Sequence, residues 1–301
     1  MAGPYQSAVT QPGTQRIALR PLTDEAAARL VTQLLGATGL PDTLVGRVVR
    51  AAEGNPLYAE QMLSMLVDAG TLRQVDGRWV LADDGADIAV PPTIQALLEA
   101  RLDRLDRTER AAVEPASVIG LEFAQSAVES LAPDVLRAAL PTHLGTLARK
   151  QFIRPAQPTE RDLVYRFHHH LVRETVYNGL LKRARAQMHL QFVRWADRVN
   201  AADDRGREFE EILGYHLEQA HRYLRELGPL DADGLAAGRD ASRRLGSSGR
   251  RAAARGDMHA AAGLLRRAAA TLEPDDAARP ALLPPLAEAL MSLGDFAGAR
   301  A

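Results

Sequence analysis

Apolar residues recur at three- and four-residue intervals along most of the chain, which is the spacing of one buried face of an α-helix. The first such run opens at Thr23, a residue that can cap a helix. Asp24 and Glu25 follow in the first turn, where the helix dipole favours carboxylates. Leu30, Leu34 and Leu35 supply the stripe, and Gly36 can end it. A second helix is predicted from about Pro41 to Glu53, with Leu44, Val45, Val48 and Val49 inward and Gly54 as its stop. Asn55 then caps a third helix with Pro56 in its first position, where a missing N–H costs nothing. That helix carries Leu57, Tyr58, Met62, Leu63, Leu66 and Val67 and ends at Gly70.

The period changes at "LRQVDGRWVL", residues 72–81. Asp76-Gly77 between β-formers predicts a hairpin. Helical spacing resumes in "VPPTIQALLEARLDRL" through Ile94, Leu97, Leu98, Leu102 and Leu105, and Asp106 with Glu109 forms a capping-box pair for the next helix. Two more helices are expected at 122–132 and 134–149. "QFIRPAQPTERDLVYRF" then reads as two strands around a Pro-rich turn. Helices closed by a hairpin make a winged-helix pattern at roughly 90–168. From His169 onward only helices are predicted: one to about Asn200, one from Arg207 to Leu227, then shorter ones. "RRAAARGDMHAAAGLLRRA" and "LAEALMSLGDFAGARA" align with Gly256-Asp257 over Gly294-Asp295, an offset of 38 residues. A two-helix repeat with small residues after the turn suggests a tetratricopeptide-like array. The second copy stops inside its second helix, so the array is expected to be truncated here.

Composition narrows the class without naming a chemistry. At 301 residues, two or three compact units are expected. Hydrophobic residues make up 46% and charged ones 25%, an ordinary globular balance. A net charge of −1 draws the chain toward neither nucleic acid nor an anionic membrane. The absence of cysteine excludes disulfides and thiolate metal sites and fits a reducing cytoplasm. No apolar run reaches the ~20 residues that span a bilayer, and "MAGPYQSAVTQPG" has no signal-peptide character.

The order "RIALRPLTDEAAARLV…LLG…LP…AAEGNPLYAEQML" resembles the end of the ATPase module of STAND signalling ATPases. It is similar in particular to the bacterial branch that joins this module to a winged-helix-like domain and tetratricopeptide repeats, often with a class III nucleotide cyclase or a LuxR-type DNA-binding domain elsewhere. "VPPTIQALLEARLDRL", "RFHHHLVRETVYNGLLKRARAQMHLQF" and "LGYHLEQA" extend the resemblance over about residues 16–300. It implies a mostly α fold in five segments. Residues 1–20 are a leader and core-strand remnant (Arg16–Leu19 in the last strand of the nucleotide-binding sheet), 21–72 the helical lid, and 73–168 the winged-helix-like domain. Residues 169–230 are a helical arm, and 231–301 truncated repeats. Gly54-Asn55-Pro56 falls on the family's GxP position, where the proline packs on adenine. A capped turn alone would use the same three residues.

No G-x-x-x-x-G-K-[ST] occurs, so nothing here cradles the β- and γ-phosphates. "RWVLADD", ending in Asp83-Asp84, mimics a Walker B strand but follows the lid and belongs to the hairpin. The resemblance therefore implies one half of a split ATP/ADP site, with the phosphate-binding half in an upstream ATPase core. The intact parent would be an ATPase and, in the cyclase-linked branch, a nucleotide cyclase. This chain alone is expected to be no enzyme and to bind no cofactor. Its partners would be the upstream core and a protein effector on the repeat face. A winged-helix DNA-binding regulator is the alternative, and an autonomous scaffold a third reading.

Other constellations point to structure. His168–His170 are about 100° apart in turn on a helix, which favours a helix start over a metal site. His169 matches a recurrent family histidine, with Glu174 and Tyr177 following, and all three are expected to be structural. Lys182, Arg183 and Arg185, and the run "RDASRRLGSSGRRAAAR", read as solvated faces, since aromatic interleaving is lacking. Only Arg137, Arg149 and Lys150 on the presumed recognition segment could reach phosphates. Serines and carboxylates form no catalytic arrangement.

Overall fold

A computed structural model describes residues 18–36, 42–76, 78–82, 90–159, 162–203 and 209–300. The chain is mostly helical with small antiparallel sheets, and it divides into two compact units, Met1–Arg104 and Leu105–Ala301. That division is coarser than the five segments expected, and the predicted hairpin and the helix after it belong to the first unit.

The first unit contains α1 (Asp24–Leu34), α2 (Asp42–Ala52), α3 (Pro56–Asp68), β1 (Leu72–Val75), β2 (Arg78–Leu81) and α4 (Ile94–Asp103). The local signals place the ends: Thr23 Oγ1 accepts the Ala26 N–H at 3.3 Å, and Gly36 and Gly70 follow their helices with φ of 59° and 67°. Val31, Leu44, Val48, Met62, Leu66, Leu72 and Leu97 close one apolar core beneath α1–α4 and the hairpin. Burying each such side chain contributes roughly 1.5–3 kcal/mol. Trp79 packs on this core and donates its indole N–H to Leu35 O at 3.0 Å, pinning β2 to the end of α1. β1 and β2 pair antiparallel from Leu72↔Leu81 to Val75↔Arg78, so "RWVL" is half of a hairpin; Asp83-Asp84 lie outside the described residues. Of the expected core strand, Arg16 and Ile17 also lie outside them, while Ala18 and Leu19 form no regular element and Leu19 is 93% exposed.

In the second unit, α5 (Arg107–Ile119) opens with the predicted capping box: Asp106 Oδ1 accepts the Glu109 N–H at 2.7 Å and Glu109 accepts the Asp106 N–H at 3.0 Å. Glu109 is also ion-paired with Lys150 at 2.7 Å. Next come β3 (Glu122–Ala124), α6 (Gln125–Leu131), α7 (Asp134–Arg137), α8 (Leu140–Arg149), β4 (Ile153–Pro155) and β5 (Val164–Phe167). The sheet order is β3-β5-β4, all antiparallel. The helical spacing predicts a helix from 122, but "EFA" pairs with β5 through Phe123↔Tyr165 instead. A three-residue strand of this kind is specified by its distant partner, so local spacing does not reveal it. Arg166 stands between Glu122 and Arg154 in register, and the carboxylate on one side offsets the like charge on the other. Pro155 occupies an edge strand, where its missing N–H breaks no ladder bond. Leu140, Leu144 and Leu147 bury one face of α8, which packs on α5 and β4.

The remaining helices are α9 (His170–Gly179), α10 (Lys182–Asp203), α11 (Glu210–Leu227), α12 (Ala232–Ala254), α13 (Met258–Ala270) and α14 (Leu283–Ser292). The sequence predicts one long helix where α9 and α10 stand. The chain breaks at Leu180 (ψ 143°), and the Arg185 guanidinium donates to Leu180 O at 3.0 Å and Asn178 O at 2.6 Å, taking up carbonyls that a continuing helix would have used. α10 to α13 pack in succession. Glycines let the helices approach closely: a Cβ on Gly249 would lie 2.8 Å from Leu265 Cγ. The sequence repeat is also a repeat of geometry. Gly256 and Gly294 have φ of 82° and 77°, and Asp257 N donates to Ala252 O as Asp295 N does to Leu290 O. Asp257 and Asp295 each accept the N–H three residues on, at 3.0 and 2.9 Å.

Candidate functional site

Gly54-Asn55-Pro56 forms the turn between α2 and α3, and each residue has a distinct task. Glu53 and Gly54 are both left-handed, with φ of 46° and 75°, so the chain reverses within two residues. Gly54 is buried against the segment that precedes α1. Its carbonyl accepts the Leu22 N–H at 2.9 Å, and an added Cβ would sit 2.6 Å from Leu22 O and 2.7 Å from Pro21 Cβ. Asn55 Oδ1 accepts from Leu57 N at 3.0 Å and Tyr58 N at 3.3 Å. Pro56 occupies the first helical position and is exposed.

These bonds decide what the turn can do. Pro56 has no N–H, Asn55 takes the next two, and Ala59 N already bonds Asn55 O at 3.2 Å. The first-turn donors of α3 are thus filled within the chain, so this end of the helix is no phosphate cradle. What it presents is the exposed, rigid ring of Pro56, two residues after the Gly54 that meets Pro21 and Leu22.

Behind the turn, α3 is fastened to α4. Tyr58 donates its hydroxyl to Pro91 O. Arg101, 1% exposed, donates to Asp68 Oδ2 at 3.1 and 2.9 Å and to Gln61 Oε1. Burial lowers the pKa of this guanidinium and Asp68 opposes the shift, so the pair remains ionic. Composition gives no hint of this buried cation; Gln61 and Asp68, seven apart on α3, are its trace in the sequence.

Several of the other sequence candidates make contacts within the chain. His169 caps α9, its Nδ1 accepting the Leu171 N–H at 3.2 Å, and its ring lies 4.2 Å from that of His170. Glu174 is exposed. Among the described residues, no group of three or more His, Asp or Glu is placed to hold a metal ion. Lys182 pairs with Glu226 at 2.9 Å, Arg137 with Asp134 at 2.8 Å, and Arg149 donates to Thr146. Within the basic run of α12, Arg244 binds Asp197, Glu210 and Asp240 at 2.8, 3.5 and 3.1 Å, and Arg239 binds Asp276 at 2.8 Å.

A second polar cluster is not apparent from motif or spacing. His189 on α10 and His216 on α11 are 0% and 2% exposed and face each other, Nδ1 to Nδ1, at 2.8 Å. His189 Nε2 meets the Tyr177 hydroxyl at 2.8 Å, and Tyr177 donates to the Tyr223 hydroxyl at 3.1 Å. Tyr223 also accepts from Arg185 at 3.3 Å and Arg222 at 2.9 Å. Burial, then the neighbouring charges, holds His189 well below the ordinary imidazole value, and burial with Arg173 lowers His216 to about 3. Burial and the bond to Tyr223 raise Tyr177. Burial would raise Tyr223 too, but the bonds from Tyr177 and Arg185 outweigh it and lower the phenol. The signal in the sequence is a histidine on the apolar stripe of each helix, at "QMHLQF" and "GYHLEQ".

A family model described as a domain of unknown function (DUF8739) matches residues 23–78, which here are α1 to α3 and the start of the hairpin. An uncharacterized protein, R02095 of Rhizobium meliloti (strain 1021), is 30% identical over 181 residues, a match that covers 58% of this chain and 16% of the relative. No solved structure matches. The chain therefore spans about a sixth of the length of this relative, and its first helices resemble a domain of unknown function.

Proposed function

We propose that this chain is a regulatory portion of a STAND-type ATP-binding protein. Residues 21–72 of the first unit would act as the lid that reads the bound base, residues 73–168 would form a winged-helix-like domain, and the second unit would also carry the first tetratricopeptide-like repeats. The supporting observation is the Gly54-Asn55-Pro56 turn. It presents an exposed proline on a helix start whose N–H groups are already satisfied, next to the segment where a core strand would end. That is a surface for the face of a purine, with the phosphates held elsewhere. The 93% exposed Leu19 fits a segment that pairs with more of the protein. Two features support the second-unit reading: the three-stranded sheet packed with α5, α6 and α8, and the Gly-Asp turns 38 residues apart.

In this reading, nucleotide bound between lid and upstream core favours a closed state, and an effector on the repeats favours an open one. Each can shift the equilibrium only by its differential affinity for the two states. A DNA-binding role has less support, because Arg137 and Lys150 are ion-paired within the chain and Arg149 bonds Thr146. Calorimetric titration with ADP tests the proposal on two chains, this one and one extended upstream through a phosphate-binding core. The short chain should give no binding heat. The extended chain should bind, and Pro56→Ala should weaken it about five- to tenfold, roughly 1–1.4 kcal/mol of lost contact. Binding by the short chain, or indifference of the extended chain to Pro56, would overturn the assignment.

A further inference from the structure

The junction of α9, α10 and α11 holds its imidazoles in an arrangement that counts protons. An Nδ1-to-Nδ1 contact of 2.8 Å accommodates one hydrogen, donated by one ring and accepted by the other. Tyr177 gives its hydrogen to Tyr223, so it accepts from His189 Nε2–H. His189 Nδ1 is then the acceptor and His216 Nδ1–H the donor. With that tautomer set, each of these bonds has one donor and one acceptor. A proton added to His189 would turn two N–H groups toward each other at the same contact. A proton on His216 would add a buried charge to a site ringed by cations.

We propose that the His189–His216 pair is an acid-released latch. While both rings are neutral it ties α9 to the start of α10 and the end of α11, and proton uptake by the pair frees those segments. The groups around it leave an added charge unneutralised. Arg173 and Tyr177 face it from α9, Arg185 from α10, and Tyr215, Arg222 and Tyr223 from α11. Glu226 on α11 is engaged by Lys182 at 2.9 Å. The charged groups of the other helices packed nearby act elsewhere: Glu109 of α5 on Lys150, Glu114 of α5 on Arg110, Glu129 of α6 on Gln125, and Arg244 of α12 on its three carboxylates. Beyond the pair, Phe192, Val193 and Ala196 of α10 cluster with Leu213 of α11. Opening is therefore confined to α9, Lys182–His189 and His216–Leu227, with this apolar cluster as the hinge. The latch stands independently of the nucleotide reading.

Native-state hydrogen exchange on the intact chain tests it. In the open segments both rings recover ordinary basicity, near 6.5. From pH 7.5 to 5.5 the opening constant of amides in α9 and at the facing ends of α10 and α11 should then rise about 100-fold, after correction for intrinsic exchange. Amides of α13 in the same molecules should change little. His216→Asn keeps an N–H near the Nδ1 position but removes one titrating ring, so the rise should drop to about tenfold. Should the variant fold poorly, NMR of the wild-type imidazoles decides the same question: both rings must remain neutral in the closed state at pH 5.5. A pH-independent opening constant, an undiminished response in His216→Asn, or ordinary titration of either ring in the native chain would each overturn the latch.

Discussion

At Gly54 two separate demands fall on one residue. Its φ of 75° disfavours any side chain, and its missing Cβ makes room for Leu22 O and Pro21. Gly70 shares the first demand, with φ of 67°, but an added Cβ there would meet nothing within 4 Å. The two glycines therefore separate backbone strain from crowding. Gly70→Ala should destabilise the first unit by about 1 kcal/mol, and Gly54→Ala by about 2–4 kcal/mol, because the overlap adds to the strain. The chain has two tryptophans, Trp79 in the first unit and Trp195 in the second. Urea unfolding followed by Trp79 fluorescence in a Trp195→Phe background reads the first unit alone. Equal losses at both positions would show that crowding at Leu22 plays no part.

At the scale of elements, α10, α11 and α12 are joined by more than their apolar cluster. Arg244, 7% exposed, reaches Asp197 on α10 and Glu210 on α11 as well as Asp240 one turn away. Burial weakens its charge and the three carboxylates more than restore it, so its pKa is raised. Arg244→Met keeps much of the packing volume but leaves those carboxylates facing one another. A loss of about 1–3 kcal/mol is expected, discounted because Asp197 and Asp240 are partly solvated. Adding Glu210→Gln should recover part of that loss, measured by Trp195 fluorescence in a Trp79→Phe background; a double variant no better than the single one would remove repulsion from the account. Such joints mark the limit of what is legible in the sequence. Caps at Thr23, Asn55, Asp106 and Asp257, the stops at Gly36, Gly54 and Gly70, and the Asp76 hairpin are local in their physics, and each is readable from its neighbours. β3, the break at Leu180 and the buried Arg101 and Arg244 depend on partners that spacing alone does not identify, most of them tens of residues away. The candidate turn is legible residue by residue. That its helix donors are already filled becomes clear only from the bonds of Asn55.

For the whole molecule, the buried histidines fix how stability depends on pH. The chain carries a net charge of −1 at pH 7, so overall repulsion is small there and specific groups dominate. A group whose basicity is lowered by folding stabilises the native state fully above its unfolded value, and that contribution is lost as pH falls toward the folded value. For His189 and His216 the window runs from about 6.5 in the unfolded chain down to about 3, the value that folding imposes on His216. From pH 7.5 to 5.5 the unfolded chain gains about 1.6 protons at these rings and the native chain almost none. The second unit should therefore lose about 2–3 kcal/mol over that interval. The depressed carboxylates Asp106, Glu226 and Asp276 act with the same sign but titrate in a lower range, so they do not confound this interval. Glu114 acts oppositely: burial raises it, the native state takes up its proton first, and acid favours folding there. Urea midpoints of the second unit at pH 7.5, 6.5 and 5.5, compared between the native sequence and a Glu114→Gln variant, separate the two effects. Stability that held level in both across the interval would mean that His189 and His216 accept protons in the folded chain.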